Sequence, residues 1–275
     1  MEEKMDFAAL GYDIPAAEEG SWRHYDEANP QPGYFEFDWL SARYPDLYHR
    51  FALSTVSLIN ELPQLIDLKG LAIADIGAGT GRSSIGLAKH ARHVYAFDAY
   101  AAVVDFGQKA VQAAGCRNVE YHRADRAALP LPDASVDAVT ACWAALDVTE
   151  AYRVLKPDGW LIQMDCVPGT LCGELTPTLQ SSYPTLLIAP TPAEQLDPTY
   201  PPADFVMGHA SGIDVPLVDG IHVHDFTSVS EYGSVDEAMA IFGRLYGPKA
   251  AEYLRAHNKS ALASRLRISY GCVAK

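Results

Sequence analysis

The sequence predicts an α/β protein built on a doubly wound sheet, and three observations carry that prediction. A short apolar run, Leu71–Ile76, leads into a glycine-rich turn, Gly77-Ala78-Gly79-Thr80-Gly81, and then into a segment, Ser83–His90, that suits a helix. Strand-like and helix-like segments then alternate as far as residue 166, the pattern of βα units. An acid, Asp98, ends the second strand-like run 21 residues after Gly77, where a nucleoside-binding sheet places a carboxylate for ribose.

The elements follow in order. From Asp46 a helical stripe (Leu47, Phe51, Leu58, Leu62) runs to Pro63, which ends or kinks it. Leu71–Ile76 is strand one and His93–Phe97 strand two. Val103, Phe106, Ala110, Val111 and Ala114 hold a helical period, and Gly115 suits the position past its end. Asn118–His122 is strand three and Ala138–Cys142 strand four. Pro157-Asp158-Gly159 makes the turn into strand five, Trp160–Cys166. Ile221–Phe226 is strand six. Ser234 and Glu237 form a capping box ahead of a helix carrying Ala238, Ile241, Phe242 and Leu245. Gly247-Pro248 stops that helix, Lys249–His257 continues as another, and Leu266–Val273 is the last strand. Two segments stand outside this alternation. Residues 1–44 are polar and aromatic (Trp22, Tyr25, Tyr34, Trp39) and read as an N-terminal arm or lid. Residues 167–217 are rich in proline and read as an inserted cap. The expected organisation is arm 1–44, core 45–166, cap 167–217 and completion of the sheet by 218–275.

Composition narrows the function classes. The 275 residues carry a formal charge of −14, which disfavours nucleic acid as partner because such proteins show a basic footprint. No apolar run reaches the roughly 18 residues of a membrane span, and the acidic start, Met1-Glu2-Glu3-Lys4, lacks a signal-peptide pattern. The five cysteines (Cys116, Cys142, Cys166, Cys172, Cys272) form no C-x-x-C pair, which argues against a disulfide framework or structural zinc. A soluble, cytoplasmic protein is expected. The chain gives no reading of its oligomeric state.

The glycine spacing separates two ligand classes. A dinucleotide fingerprint, G-x-G-x-x-G, wants glycine or alanine at position 82, where this chain has Arg82; its third glycine comes one residue early, at Gly81. Asp75, two residues before Gly77, suits a cationic amino group better than a pyrophosphate. Asp75-x-Gly77-x-Gly79-x-Gly81 resembles motif I of the class I S-adenosylmethionine-dependent methyltransferases. The run Ala124-Asp125-Arg126 through Leu129-Pro130-Leu131-Pro132-Asp133 to Asp137 resembles that family's second signature. The resemblance implies a Rossmann-like seven-stranded sheet of order 3-2-1-4-5-7-6 with the last strand antiparallel. It implies S-adenosylmethionine as cofactor, S-adenosylhomocysteine as product, and a binding set of Asp75, Gly77, Ala78, Gly79, Gly81, Asp98, Ala99, Ala124, Asp125, Arg126 and Cys142. Within that set Asp98 takes the ribose hydroxyls and Asp125 the adenine amino group. The expected reaction is methyl transfer to a small-molecule acceptor, a metabolite or natural product, and the motifs do not choose between O-, N-, C- and S-methylation.

No motif names a catalytic base. His222 and His224 share one face of a strand, and Asp225 points the other way. These three and Tyr25 of the arm are the candidates for a base at the acceptor. The His-x-His pair has no third ligand, so no metal is expected. Two other readings stand beside the methyltransferase: an NAD-dependent oxidoreductase, and a non-catalytic cofactor-binding partner protein.

Overall fold

The computed structural model describes residues 45–144, 146–167, 175, 218–246 and 248–273. The expected arm and nearly all of the expected cap, Tyr25 included, lie outside these residues.

Seven strands form one sheet of order β3-β2-β1-β4-β5-β7-β6, with β7 antiparallel, as the resemblance implies. They are β1 Ala72–Ile76, β2 His93–Asp98, β3 Val119–Arg123, β4 Val136–Cys142, β5 Leu155–Cys166, β6 Val218–Glu231 and β7 Ala261–Val273. The helices are α1 Pro45–Phe51, α2 Leu53–Glu61, α3 Arg82–Leu87, α4 Ala101–Ala113, α5 Val148–Val154, α6 Val235–Tyr246 and α7 Pro248–Ala256. β1 pairs in parallel with β2 on one side and β4 on the other, and all five of its residues are buried. That double burial is why the run reads as uniformly apolar apart from Asp75.

Three elements differ from their sequence reading. The helix expected from Asp46 to Pro63 divides at Ala52 into α1 and α2, and Pro63 opens a 3-10 turn, Leu62–Gln64, because proline has no N–H to continue the ladder. α3 is shorter than Ser83–His90 and ends at Leu87. β5 begins at Leu155 rather than Trp160. Val136 pairs with Leu155 and Ala138 with Trp160, so Lys156–Gly159 loop out as an irregularity within the strand, with Asp158 at φ 59°. The ends of α4 and α6 follow expectation. Gly115 takes φ 72° past the end of α4. Ser234 Oγ accepts from Glu237 N–H at 3.0 Å, while Glu237 Oε2 accepts from Gly233 N–H at 3.0 Å.

The described residues fall into two compact units. The larger holds β1–β4, most of β5, α2 from Thr55, α3–α5, and the segments of β6 and β7 at Phe226 and before and at Leu266 and beyond. Its core lies on both faces of the sheet. Leu58, Ile59, Leu87, Ile73, Ile162 and Ile268 pack on one face; Ile76, Phe97, Val139, Val154, Leu161 and Val273 pack on the other. The smaller unit holds α1, α6, α7 and the remainder of β6 and β7. In it Phe242 meets Phe51 edge-on at 5.8 Å and Tyr232 at 5.2 Å. The division cuts across the expected 218–275 segment, whose residues contribute to both units. No helix among the described residues is long and apolar enough to cross a membrane.

The segment after β3 is fastened by one arginine. Arg153 of α5 donates to the carbonyls of Leu129 at 3.1 Å and Leu131 at 2.8 Å, to Glu150 at 2.6 Å and to Asp133 at 2.7 Å. Glu150 in turn accepts from Leu129 N–H at 2.7 Å. The Arg153 hydrogen bonds hold the Glu150 carboxyl below its ordinary value of 4.5. A carboxylate so lowered stabilises the fold above its ordinary pKa, and that contribution is lost as pH falls through the lowered value. Arg153→Ala is therefore expected to destabilise the protein by about 2 kcal/mol at neutral pH and to reduce the loss of stability between pH 5 and pH 3. Urea melts at several pH values measure both, and a variant that matches the wild type at neutral pH would remove the fastening role.

Candidate functional site

In a doubly wound sheet ligands bind beyond the carboxyl ends of the strands, where the strand order reverses. Here the reversal falls between β1 and β4. The loop leaving β1 there is the glycine turn. Gly77, Gly79 and Gly81 all take positive φ, at 65°, 56° and 91°. At Gly77 the requirement is double: a Cβ would also stand 2.3 Å from Ala144 Cβ, in the loop leaving β4. Gln163 of β5 fixes that loop by donating to Ala144 O at 3.0 Å.

Asp75 organises the base of the turn. Its side chain is fully buried and accepts from Ser83 Oγ at 2.7 Å, Ser84 Oγ at 2.6 Å and Thr140 Oγ1 at 3.0 Å. Burial pushes its pKa up, and the three hydroxyls oppose that shift. The sequence reading paired this carboxylate with a cationic group of a ligand. In the fold Asp75 sits on a central strand buried on both faces and accepts from hydroxyls of α3 and β4. The signals that would have found them were the Ser83-Ser84 pair behind the glycines and a lone threonine in the apolar run of β4.

Asp98 lies at the end of β2, partly buried. One carboxylate oxygen accepts from Gly79 N–H at 3.0 Å and the other from Tyr100 N–H at 3.0 Å. Ala78 N–H is bonded to Phe97 O at 2.9 Å. Tyr121 of β3, absent from the sequence-derived set, offers its hydroxyl to Ala78 O at 3.1 Å and Gly79 O at 3.0 Å. The tip of β2 is tied to the chain beyond β3: Ala124 N–H donates to Asp98 O at 3.0 Å and Arg123 Nε to Ala99 O at 3.0 Å. Asp125 and Arg126 follow, both exposed, and the Asp125 side chain accepts from Ala127 N–H at 2.9 Å, which sets the turn. Cys142 closes β4 with its thiol buried, and burial raises its pKa well above the ordinary value.

The fold thus gathers the sequence-derived set at the carboxyl ends of neighbouring strands. The catalytic candidates stand elsewhere. His222, His224 and Asp225 lie on β6, the opposite edge, four strand steps or about 19 Å from β1. His222 stacks on Tyr270 at 5.2 Å, and His224 Nε2 lies 3.0 Å from Glu61 Oε1. Asp225 receives both arms of Arg267, at 2.7 and 2.8 Å. The alternation across β6 is as expected, with the histidine rings and the aspartate meeting different partners. No cluster of three or more metal-ligating side chains occurs among the described residues.

The geometry also bears on the ligand class. A pyrophosphate needs loop N–H groups turned toward it, yet those of Ala78 and Gly79 are given to Phe97 O and Asp98. Two carboxylates, Asp75 and Asp98, act on the same loop and on each other. A nucleoside with a cationic substituent suits such a loop; a dianionic bridge does not.

Comparison with known proteins agrees with this reading. Residues 73–159 match the family model described as a methyltransferase domain. Over 100 residues the chain is 38% identical to demethylmenaquinone methyltransferase of Clavibacter sepedonicus and 31% to the uncharacterized methyltransferase YcgJ of Bacillus subtilis, each match covering 34% of this chain. The chain spans 40% of the length of each of these two relatives. The solved structure of the Bacillus subtilis YcgJ protein superposes with a TM-score of 0.53 at 16% identity, covering 80% of this chain and 99% of that one, and shows a shared fold.

The contact at Gly77 is testable. Gly77→Ala is expected to cost about 2 kcal/mol or more, from left-handed strain and overpacking together. Adding Ala144→Gly should recover the packing part and leave the strain. Equal urea midpoints for the single and double variants would show that Ala144 is not what the added methyl meets.

Proposed function

We propose that this chain, whose residues 73–159 match a methyltransferase-domain family model, is a class I enzyme that transfers a methyl group from S-adenosylmethionine to a small-molecule acceptor. The observation that carries the proposal is the glycine turn itself: its spacing departs from the dinucleotide fingerprint, and its Ala78 and Gly79 N–H groups are spent on the protein rather than left for a phosphate.

The residues fit the cofactor. Asp98, at the tip of β2, accepts from Gly79 N–H and Tyr100 N–H and is the carboxylate placed for the ribose hydroxyls. Asp125, exposed beyond β3, is the acceptor for the adenine amino group, with Ala124 and Arg126 flanking it. Gly77, Ala78, Gly79 and Gly81 bring backbone close to the ligand, Ala99 follows the ribose carboxylate, and Cys142 lines the end of β4. Asp75 contributes from behind the loop, by holding it. When bound, S-adenosylmethionine supplies an activated methyl group. The chain's own task is to hold both reactants in line and shed water from between them. The His222, His224 and Asp225 side chains are engaged with Tyr270, Glu61 and Arg267, so no base is assigned to them.

A small-molecule acceptor is supported by the charge of −14 and by the relatives. Demethylmenaquinone methyltransferase is by its name an enzyme of a small molecule. The likeness to it spans about a third of this chain, so its own acceptor is not carried over. The same geometry counts against an NAD-dependent oxidoreductase.

Calorimetric titration with S-adenosylmethionine, S-adenosylhomocysteine and NAD tests the reading. The adenosyl ligands are expected to bind near micromolar, about −8 kcal/mol, and Asp98→Ala to weaken them by at least about tenfold, the loss of hydrogen bonds to a charged acceptor. Binding of NAD alone, or of no adenosyl ligand, would overturn it.

A further inference from the structure

Tyr121 is the one buried residue of β3, an edge strand whose other side chains are exposed or half-buried. Two hydrogen bonds tie this tyrosine to the cofactor loop, and its ring packs against the helix behind it. Its hydroxyl reaches Ala78 O and Gly79 O, at 3.1 and 3.0 Å, and its single proton serves one or shares both. Its ring lies against α4 at Gly107, where an added Cβ would stand 2.6 Å from Cζ and 2.8 Å from the hydroxyl oxygen. Gly107 O would in turn be 3.3 Å from a Cβ on Gly81. The tyrosine ring is therefore seated between helix and loop in a slot that only glycine leaves open.

The Ala78–Gly79 peptide shows what this seating does. Its carbonyl oxygen is held by Tyr121 from β3 and by Gly81 N–H within the turn itself, and its N–H by Asp98. One rigid plane is gripped at both ends, and the grip at the N–H end is the carboxylate assigned to ribose. With glycine on one side of it, that plane turns over easily unless something fixes it. A turned plane would take the N–H away from Asp98 and free the carboxylate to rotate. Burial raises the phenol's pKa well above its ordinary value, so the hydroxyl stays a donor throughout the neutral range.

We propose that Tyr121 is a positioning residue: from outside the ligand contacts, its hydroxyl fixes the Ala78–Gly79 peptide and, through it, Asp98, and so sets the affinity for the adenosyl cofactor. The proposal rests on the methyltransferase reading and concerns binding. Without the hydroxyl the loop spends part of its time in other conformations, and the apparent dissociation constant rises by the inverse of the competent fraction.

Tyr121→Phe keeps the ring in its slot and removes the bond. S-adenosylhomocysteine is the probe, by calorimetry on the full chain, with amide hydrogen exchange at Gly79 as a readout independent of any ligand. The expected result is a dissociation constant raised about 5- to 10-fold, the worth of one hydrogen bond, with faster exchange at the Gly79 amide. A merely structural tyrosine would lower the urea midpoint and leave both readouts unchanged; that result would overturn the proposal. Gly107→Ala keeps the hydroxyl and displaces the ring, and should weaken binding in the same way. If Tyr121→Phe does not fold, Gly107→Ala decides: wild-type affinity there would overturn the proposal. A wild-type protein that binds no S-adenosylhomocysteine fails the methyltransferase reading itself, a separate arm of the experiment.

Discussion

The carboxylate of Asp75 is the constraint on which the site depends. It is an ionisable group on a central strand with no access to water, a placement that raises its pKa and is costly unless its oxygens find partners. Three hydroxyls supply them. Two come from the first turn of α3 and one from β4, so satisfying the carboxylate draws the start of the helix and the neighbouring strand onto β1. The five residues between Ile76 and Arg82 must then close a short span. They do so with three positive-φ glycines.

Once the turn is closed, its polar groups need partners as well. Ala78 N–H goes to the β2 backbone, Gly79 N–H to Asp98, and the carbonyls to Tyr121 and Gly81 N–H. The loop therefore has its Ala78 and Gly79 amides spent on the protein and two carboxylates close behind it. That electrostatic setting separates it from the phosphate-binding turn with which it shares strand, glycines and helix. The difference lies in where hydrogen bonds go, in a backbone of closely related shape.

The neighbouring elements act through the same loop. α4 carries a glycine where the Tyr121 ring passes, and the chain after β3 is tied to the tip of β2 through Ala124 and Arg123. Further along, the Leu129–Asp133 run that completes the second signature is stapled by Arg153 rather than by its own prolines. Side chains distant in sequence thus hold the residues assigned to the ligand.

Periodicity and punctuation in the sequence determined most strands and helices from Asp46 to Val273, apart from element ends, the break at Ala52 and the early start of β5. They also determined the glycine turn and the position of Asp98 at the end of a strand, because strand alternation, glycine spacing and caps are local properties of a chain; Asp125 came with the family resemblance. The sheet order came with the family resemblance and agrees with the structure. Tertiary structure decided the partners. Ser83, Ser84 and Thr140 are ordinary residues until β4 comes beside β1; Gly107 reads as a weak spot in a helix until Tyr121 lies against it. The burial of Asp75 was likewise not legible, because a sequence shows a charge without its depth. Burial and hydrogen-bond pairing are relations between segments dozens of residues apart, and only the folded sheet brings those segments within reach.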